Sequence, residues 1–130
     1  DAAQQDPAKA EAFDAVLVDA PCSGLGVFGK PDARYAKSDA LIGALAGIQK
    51  QILDACAGYV RPGGTLLYST CTILQRENED VVDCFRSEHP EFSLEDFTLP
   101  GVGACGGMLT LWPHIHGTDG FFMAKLVKRR

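Results

Sequence analysis

Two strand-like apolar segments, each followed closely by a cysteine, constrain the fold of this 130-residue chain most strongly. Residues 13–20 lead to Cys22, and residues 65–70 lead to Cys71. A helical pattern separates the two segments, and a strand–helix–strand unit predicts a parallel pair of strands. The carboxyl ends of parallel strands meet at one edge of a sheet, where ligands bind in open α/β folds. We therefore expect both cysteines at the mouth of one site.

The remaining elements also follow from periodicity. Ser38 is suited to cap a helix that ends at residues 62–64, and a second helix is predicted over about 76–89. The inward residues of the first are Leu41, Leu45, Ile48, Ile52, Cys56 and Tyr59, and those of the second are Val81, Val82 and Phe85. The continuous apolar run at 13–20 is typical of a strand buried on both faces. Residues 92–97 indicate a short strand, 100–107 an irregular segment, and 108–112 with 121–127 two strands around a loop. The fold class is α/β, with a mixed sheet that ends in an antiparallel hairpin.

Composition excludes several classes of protein. No apolar run is long enough to span a membrane, and the amino end lacks the basic start and apolar core of a signal peptide. The five cysteines are irregularly spaced and include no C-x-x-C pair, which favours reduced thiols in a cytoplasmic protein. The net charge of −5 argues against a large nucleic-acid footprint on these residues.

Two of the five cysteines are candidates for chemistry. Cys71 has polar neighbours and precedes a predicted helix, whose positive end lowers the pKa of a nearby thiol. Cys22 follows Pro21, which stiffens the backbone, and Asp19 ends the same strand as a candidate acid or hydrogen-bond partner. The other three are interpreted as small buried apolar residues: Cys56, Cys84 and Cys105.

Two further patterns carry little weight. His114 and His116 have no further ligand set, so we predict no metal site and place them at the rim of the pocket. Gly101, Gly103 and Gly106 match a dinucleotide-binding pattern formally, but they open no helix and no acidic residue follows at the required distance.

The segments Asp19-Ala20-Pro21-Cys22 and Ser69-Thr70-Cys71 together resemble motifs of the RNA cytosine-5 methyltransferases of the Sun (bacterial Fmu) type. Residues 63–72, followed by Glu77-Asn78-Glu79, are similar to the sixth motif of that family and its helix. Residues 116–126 are similar to its carboxyl-terminal motif, and Lys30-Pro31-Asp32 fits the loop after the first cysteine. The motifs occur in the family's order and cover nearly the whole chain.

The resemblance implies a Rossmann-like fold that uses S-adenosylmethionine to methylate C5 of cytosine in RNA, with ribosomal RNA of the small subunit as the implied substrate. It makes Cys71 the nucleophile at C6, Asp19 a contact to N3 of the base, and Cys22 the group that assists proton loss and product release. The cofactor contacts that it implies are Asp1, Asp19 and Pro21, and the substrate contacts are Lys30 and Asp119. RNA is the expected partner, rather than DNA or a membrane.

The family's Gly-rich cofactor motif and its RNA-binding portion have no counterpart in these residues. We therefore expect residues 1–130 to be the carboxyl-terminal part of a catalytic domain truncated at its amino end, with the missing amino-terminal portion of the same protein as a partner. On its own, this part is expected to be inactive.

Three other interpretations remain open at this point. In DNA cytosine-5 methyltransferases the nucleophile is the cysteine after proline, which would be Cys22. The chain could instead be a non-catalytic fragment of a fold. A thiol redox protein that uses Cys22 and Cys71 is the third, although the sequence lacks the usual C-x-x-C pair.

Overall fold

The computed structural model describes residues 1–27, 29 and 37–130. Lys30 and the Lys30-Pro31-Asp32 segment lie outside the described residues. In chain order the α-helices and strands are β1 (Phe13–Asp19), α1 (Asp39–Ala57), β2 (Val60–Thr70), α2 (Glu79–Glu88), β3 (Phe92–Leu94), β4 (Phe97–Leu99), β5 (Gly103–Cys105), β6 (Met108–Leu111), α3 (Pro113–His116) and β7 (Phe121–Lys128). Two short 3-10 turns, Pro7–Lys9 and Gln75–Glu77, precede β1 and α2.

The main sheet is mixed, as the sequence predicts. β1 pairs in parallel with β2, and β7 pairs antiparallel with the other edge of β2. The far edge of β7 pairs with both β3 and β6, which lie end to end along it. β4 and β5 form a separate two-stranded hairpin. The Rossmann-like fold class and the antiparallel pairing of the last two main-sheet strands are confirmed.

Both long helices contribute to a core on one face of the sheet. The Ser38 hydroxyl accepts a hydrogen bond from the Leu41 N–H and caps α1 as predicted. The buried core includes Val18, Leu53, Leu66, Tyr68, Val81, Val82, Phe85, Phe122, Ala124 and Leu126. The α2 part of this list matches the predicted inward face. No helix in the described part of the chain is long and apolar enough to cross a membrane.

The prediction that β1 is buried on both faces is wrong. Val18 faces the core, but the side chains of Phe13 and Leu17 on the other face are 43% and 66% exposed. Within the described residues, the two long helices cover only the core face. The apolar run therefore shows that both faces of β1 are suited to contact other apolar side chains, although only one face is covered in this structure.

The inward face of α1 is rotated relative to the predicted apolar stripe. Leu41 and Ile48 are each 43% exposed, whereas Gln49 and Leu53 are fully buried. A polar side chain occupies the centre of this face because the Gln49 amide has hydrogen-bond acceptors there, the Pro21 carbonyl among them. Hydrophobic periodicity alone assigns such a position to the surface.

Element boundaries differ from the predicted ones at three places. α1 ends at Ala57 and β2 already begins at Val60, so Gly63 and Gly64 lie inside a strand whose pairing with β1 is irregular there. The predicted strand at 92–97 is two elements, β3 and the start of β4. The predicted irregular segment at 100–107 contains β5, which pairs with β4.

The three cysteines assigned to apolar packing differ in exposure. Cys105 is buried and Cys56 is half-buried. The prediction is wrong for Cys84, which is exposed, because it lies on the solvent side of α2, whose inward face is formed by Val81, Val82 and Phe85.

Candidate active site

The two candidate cysteines lie together at the carboxyl ends of neighbouring strands. Asp19 pairs with Ser69 at the end of the parallel register, so Cys22 and Cys71 leave the sheet at the same edge. Their Sγ atoms are 3.2 Å apart, and both residues are half-buried. The prediction that the two thiols meet at one edge of the sheet is confirmed.

The backbone around Cys22 is fixed on the strand side. The Ala20 N–H donates to the Ser69 carbonyl at 2.9 Å and extends the pairing by one residue. Pro21 cannot donate a further ladder bond, so the chain leaves the sheet at this point. Its carbonyl accepts a hydrogen bond from Gln49 Nε2 at 2.9 Å. Cys22 is thus held by a rigid turn rather than by a free loop.

The environment of Cys22 keeps its proton in place. Burial and a side-chain hydrogen bond with Cys71 raise the pKa of the Cys22 thiol from about 9 to about 11, and opposing backbone hydrogen bonds do not offset these effects. Desolvation disfavours the charged thiolate. At neutral pH Cys22 is therefore a thiol that can donate a hydrogen to the Cys71 sulfur.

Asp19 lies at the same edge but on the other face of the strand from Val18. Its side chain is exposed, and its Oδ1 accepts a hydrogen bond from the Ser69 hydroxyl at 3.0 Å. Ser69 thereby orients the carboxylate without burying it. The arrangement provides an accessible anionic acceptor at the end of β1, on the same strand that leads to Cys22.

Two glycines allow the segment after Cys22 to cross over the segment around Cys71. The Gly26 N–H donates to the Cys71 carbonyl at 3.0 Å, and the Gly120 N–H donates to the Gly26 carbonyl at 2.7 Å. A Cβ atom on Gly26 would overlap the Gly120 carbonyl oxygen and lie 2.7 Å from that of Cys71. The sequence interpretation assigned Gly26 and Gly120 no role; only the short spacing of glycines after Cys22 hinted at a close approach.

The other predicted site residues are more scattered. Asp119 is exposed and directly precedes Gly120, so it lies beside this crossing. Asp1 lies in the first turn of the chain, where its Oδ1 accepts a hydrogen bond from the Ala3 N–H at 3.0 Å. Pro21 is exposed next to Cys22. No hydrogen bond of the described residues links Asp1 to Asp19 or Pro21.

The histidines near β7 form local structure. His116 Nδ1 accepts a hydrogen bond from the Trp112 N–H at 2.8 Å, which closes the short helix α3. The Trp112 ring meets His114 edge-on at 6.2 Å between ring centroids. Within residues 1–27, 29 and 37–130, no group of three or more His, Cys, Asp or Glu side chains is arranged to hold a metal ion.

A layer of buried polar side chains underlies the two cysteines, and most of it was not anticipated from the sequence. Its members are Ser23, Gln49, Thr70, Thr72, Glu77 and Asn78, each at most 5% exposed. The sequence carried a signal for only part of it, since Glu77-Asn78 belongs to the motif noted above. Gln49 gave no signal, because an isolated glutamine on a helix is normally a surface residue.

Comparison with known proteins gives matches to one family of enzymes. A family model described as 16S rRNA methyltransferase RsmB/F matches residues 1–127. The probable ribosomal RNA small subunit methyltransferase B of Bacillus subtilis is 44% identical over 128 residues, which cover 92% of this chain and 28% of that protein. The ribosomal RNA small subunit methyltransferase B of Klebsiella pneumoniae is 43% identical over 121 residues, covering 92% and 27%.

Solved structures give the same result. The crystal structure of NSun6 from Pyrococcus horikoshii with SFG superposes with a TM-score of 0.73 at 36% identity, covering 88% of this chain and 29% of that one. A methyltransferase homolog protein from the same organism gives a TM-score of 0.65 at 29% identity, covering 89% and 39%. The chain spans less than a third of the length of the curated relatives described above.

The glycine crossing predicts a specific sensitivity. Gly26→Ala forces the segments of Cys22 and Cys71 apart, because the new methyl group meets two backbone carbonyls. We expect this variant to be destabilised by about 1–3 kcal/mol in urea unfolding. Gly47→Ala is the matched control: it lies within α1 with no atom near the added Cβ, and it should gain up to about 1 kcal/mol. Equal effects of the two substitutions would contradict the crossing.

The raised pKa of Cys22 predicts its reactivity. At pH 8 the Cys22 thiolate should be about a hundredfold less abundant than that of a thiol of ordinary pKa, since the shift from about 9 to about 11 is two units. Alkylation by iodoacetamide, followed by peptide mass spectrometry, should modify exposed Cys84 first, with the Cys22 rate rising up to about pH 11. A Cys22 rate that levels off near pH 9 would refute the shift.

Proposed function

Because the chain belongs to the 16S rRNA methyltransferase RsmB/F family, we propose that the protein containing it methylates C5 of cytosine in RNA, with S-adenosylmethionine as the methyl donor. The observation that carries this proposal is the 3.2 Å separation of two thiols at the carboxyl ends of adjacent parallel strands. RNA methylation is supported by the family description, and the cytosine chemistry by the paired cysteines.

Cys71 is the proposed nucleophile. C5 of cytosine reacts poorly with a methyl sulfonium until a thiolate adds at C6. In this step the Cys71 Sγ–C6 bond forms, and the electrons of the C5–C6 double bond make C5 nucleophilic. The alternative, attack by Cys22, is disfavoured because its raised pKa keeps it protonated at neutral pH.

Cys22 is the proposed proton carrier for product release. After methylation, the C5 proton must leave and the bond from Cys71 to C6 must break. The Cys22 thiol is within hydrogen-bond distance of the Cys71 sulfur and can pass its proton to that sulfur as the bond breaks. In the same step the forming Cys22 thiolate takes up the C5 proton, and the C5–H electron pair restores the C5–C6 double bond as the Cys71 sulfur leaves, so that bonds and protons balance.

Asp19 is proposed to contact the base at N3 and to bind the cofactor together with Pro21. Its carboxylate is exposed and oriented by Ser69, which fits a role in holding polar groups. Asp1 is the third proposed cofactor contact. S-adenosylmethionine supplies the methyl group when bound, and a relative of known structure was solved with SFG, an analogue of it.

The substrate side is proposed to include Lys30 and Asp119. Asp119 is exposed beside the Gly26–Gly120 crossing, next to the segment that carries Cys71. A cytosine in folded RNA must leave its stack to meet a thiol held in such a site. Small-subunit ribosomal RNA is the proposed substrate class, on the basis of the names of the family and its curated relatives.

We further propose that residues 1–130 form the carboxyl-terminal part of a catalytic domain, with the cofactor's Gly-rich motif and the RNA-binding portion elsewhere in the protein. The uncovered face of the sheet supports this, because Leu17 is 66% and Leu67 37% exposed. An apolar groove continues this face between Leu67 and the β4–β5 hairpin, lined by Phe97, Leu99 and Met123. Contiguous apolar surface of this kind marks an interaction site.

The assignment of roles predicts a trapping pattern. In the full protein, RNA that carries 5-fluorocytosine should give a covalent complex stable in SDS, because fluorine at C5 cannot leave as a proton does. Cys71→Ala should abolish the complex, whereas Cys22→Ala should retain it, and the exposed-cysteine control Cys84→Ala should behave as the parent. If Cys71→Ala still traps and Cys22→Ala does not, the roles of the two cysteines are reversed.

The division of the domain predicts weak cofactor binding by this part alone. Titration of residues 1–130 with S-adenosylmethionine in a calorimeter should give no binding in the micromolar range. The full protein serves as the positive control. Micromolar binding by the 130 residues would mean that the Gly-rich motif is unnecessary and would overturn this division.

A further inference from the structure

Two consecutive polar residues, Glu77 and Asn78, are fully buried where the Gln75–Glu77 turn meets α2. Asn78 is at the N-cap position of α2, and asparagine is among the strongest capping residues. Its side chain nevertheless makes no capping hydrogen bond. Both side chains are instead directed to the segments that carry the cysteines.

Glu77 fixes the segment around Cys22. Its Oε1 accepts from the Ser23 N–H at 2.8 Å and from Gln49 Nε2 at 3.1 Å, and its Oε2 accepts from the Ser23 hydroxyl at 2.6 Å. The same Gln49 nitrogen donates to the Pro21 carbonyl. The residues on both sides of Cys22 are thereby tied to one carboxylate.

Asn78 does the same for the segment around Cys71. Its Oδ1 accepts from the Thr70 hydroxyl at 2.6 Å, and its Nδ2 donates to the Thr72 carbonyl at 2.9 Å. These bonds flank Cys71 on both sides. A side chain that would ordinarily stabilise the start of α2 is committed to the Cys71 segment.

The two sets of bonds are joined into one network. The hydroxyls of Ser23 and Thr72 are hydrogen-bonded at 3.2 Å, which links the two cysteine segments directly. The Tyr68 hydroxyl donates to the Glu77 carbonyl at 2.6 Å and anchors the junction to the core. Burial raises the pKa of the Tyr68 phenol above its ordinary value, so it remains a donor.

Burying a carboxylate in a core is unfavourable, because the group loses its hydration. In the described part of the chain, no Lys, Arg or His forms an ion pair with Glu77, so neutral donors alone offset its desolvation. Apolar residues of similar volume can replace even paired buried charges at no loss of stability. Burial of both Glu77 and Asn78 at this junction therefore calls for a role beyond packing.

We propose that Glu77 and Asn78 are positioning residues that set the separation of the Cys22 and Cys71 sulfurs. This inference rests on the proposed function for its catalytic meaning. Its structural content, that one helix junction holds both thiols in reacting distance, does not depend on the substrate. Loss of either side chain should separate the sulfurs and slow the steps that need both, with little effect on cofactor binding.

Asn78→Asp is the sharpest test. Aspartate caps helices as well as asparagine does and has nearly the same volume, but it puts an acceptor where Nδ2 donated to the Thr72 carbonyl. Glu77→Gln is the parallel change at the Cys22 segment, where it replaces an acceptor by a donor. Asp80→Asn, an exposed change in the first turn of α2, is the matched control.

The readout is the coupling between the two thiols in the full protein. Incubation with glutathione disulfide oxidises Cys22 and Cys71 to a protein disulfide, and the reagent is reduced to two molecules of glutathione. The equilibrium constant, obtained by peptide mass spectrometry in defined glutathione buffers, measures how well the sulfurs are held together. We expect it to fall about tenfold in Asn78→Asp and Glu77→Gln, as for loss of a buried hydrogen bond, and not in Asp80→Asn.

A disulfide equilibrium unchanged in both variants, whatever their thermal midpoints, would overturn the proposal, because the two side chains would then serve folding alone. Should either variant fail to fold, Ser23→Ala, which removes one of the bonds to Glu77, replaces it in the same assay. The assay needs neither RNA nor cofactor. A failure of the trapping experiment would therefore count against the proposed function, and a failure of the thiol assay against the positioning role.

Methylation kinetics provide the catalytic arm. Asn78→Asp should lower kcat for RNA methylation and leave KM for S-adenosylmethionine unchanged, since the altered bonds flank Cys71 rather than Asp19 or Pro21. A variant that raises this KM without lowering kcat would contradict the positioning role.

Discussion

The parallel pairing of β1 and β2 is the interaction on which the rest of the site depends. It brings Asp19 opposite Ser69 and so starts both cysteine segments from one edge. Paired strands lie about 4.8 Å apart, so neighbouring strand ends are already close to reacting distance. Two backbone bonds, from Ala20 to Ser69 and from Gly26 to Cys71, then hold the segments against each other beyond the sheet.

Sequence reasoning predicted the parts of this arrangement that depend on local pattern. The strand–helix–strand order required the two thiols to meet, and the residues Val81, Val82 and Phe85 required α2 to face the core. It failed where tertiary context decides. The pattern places Leu17 in the core, but it is exposed because the two long helices cover only the other face of β1. The pattern places Gln49 at the surface, but it is buried because its hydrogen-bond partners come from distant parts of the sequence.

The polar layer beneath the thiols illustrates a further limit of prediction. A buried glutamate and a buried asparagine run against the usual rule that such residues stay at the surface. Their partners, among them Ser23 and Gln49, come from 54 and 28 residues away along the chain. Violations of this kind are concentrated at functional sites in natural proteins. Here the buried polar residues lie directly beneath the two cysteine segments.

The position of each strand within the sheet determines how the backbone below each sulfur is supported. β2 is flanked along residues 65–69 by β1 and β7, whereas β1 pairs with β2 alone within the described residues. Interior strands open less often than edge strands, so Cys71 follows a backbone that is held on both sides. The Cys71 sulfur, which is proposed to bond to C6, thus follows a strand that is hydrogen-bonded along both edges. Cys22 has a different support, because Pro21 and the hydrogen bond from Gln49 to its carbonyl hold the turn that follows β1.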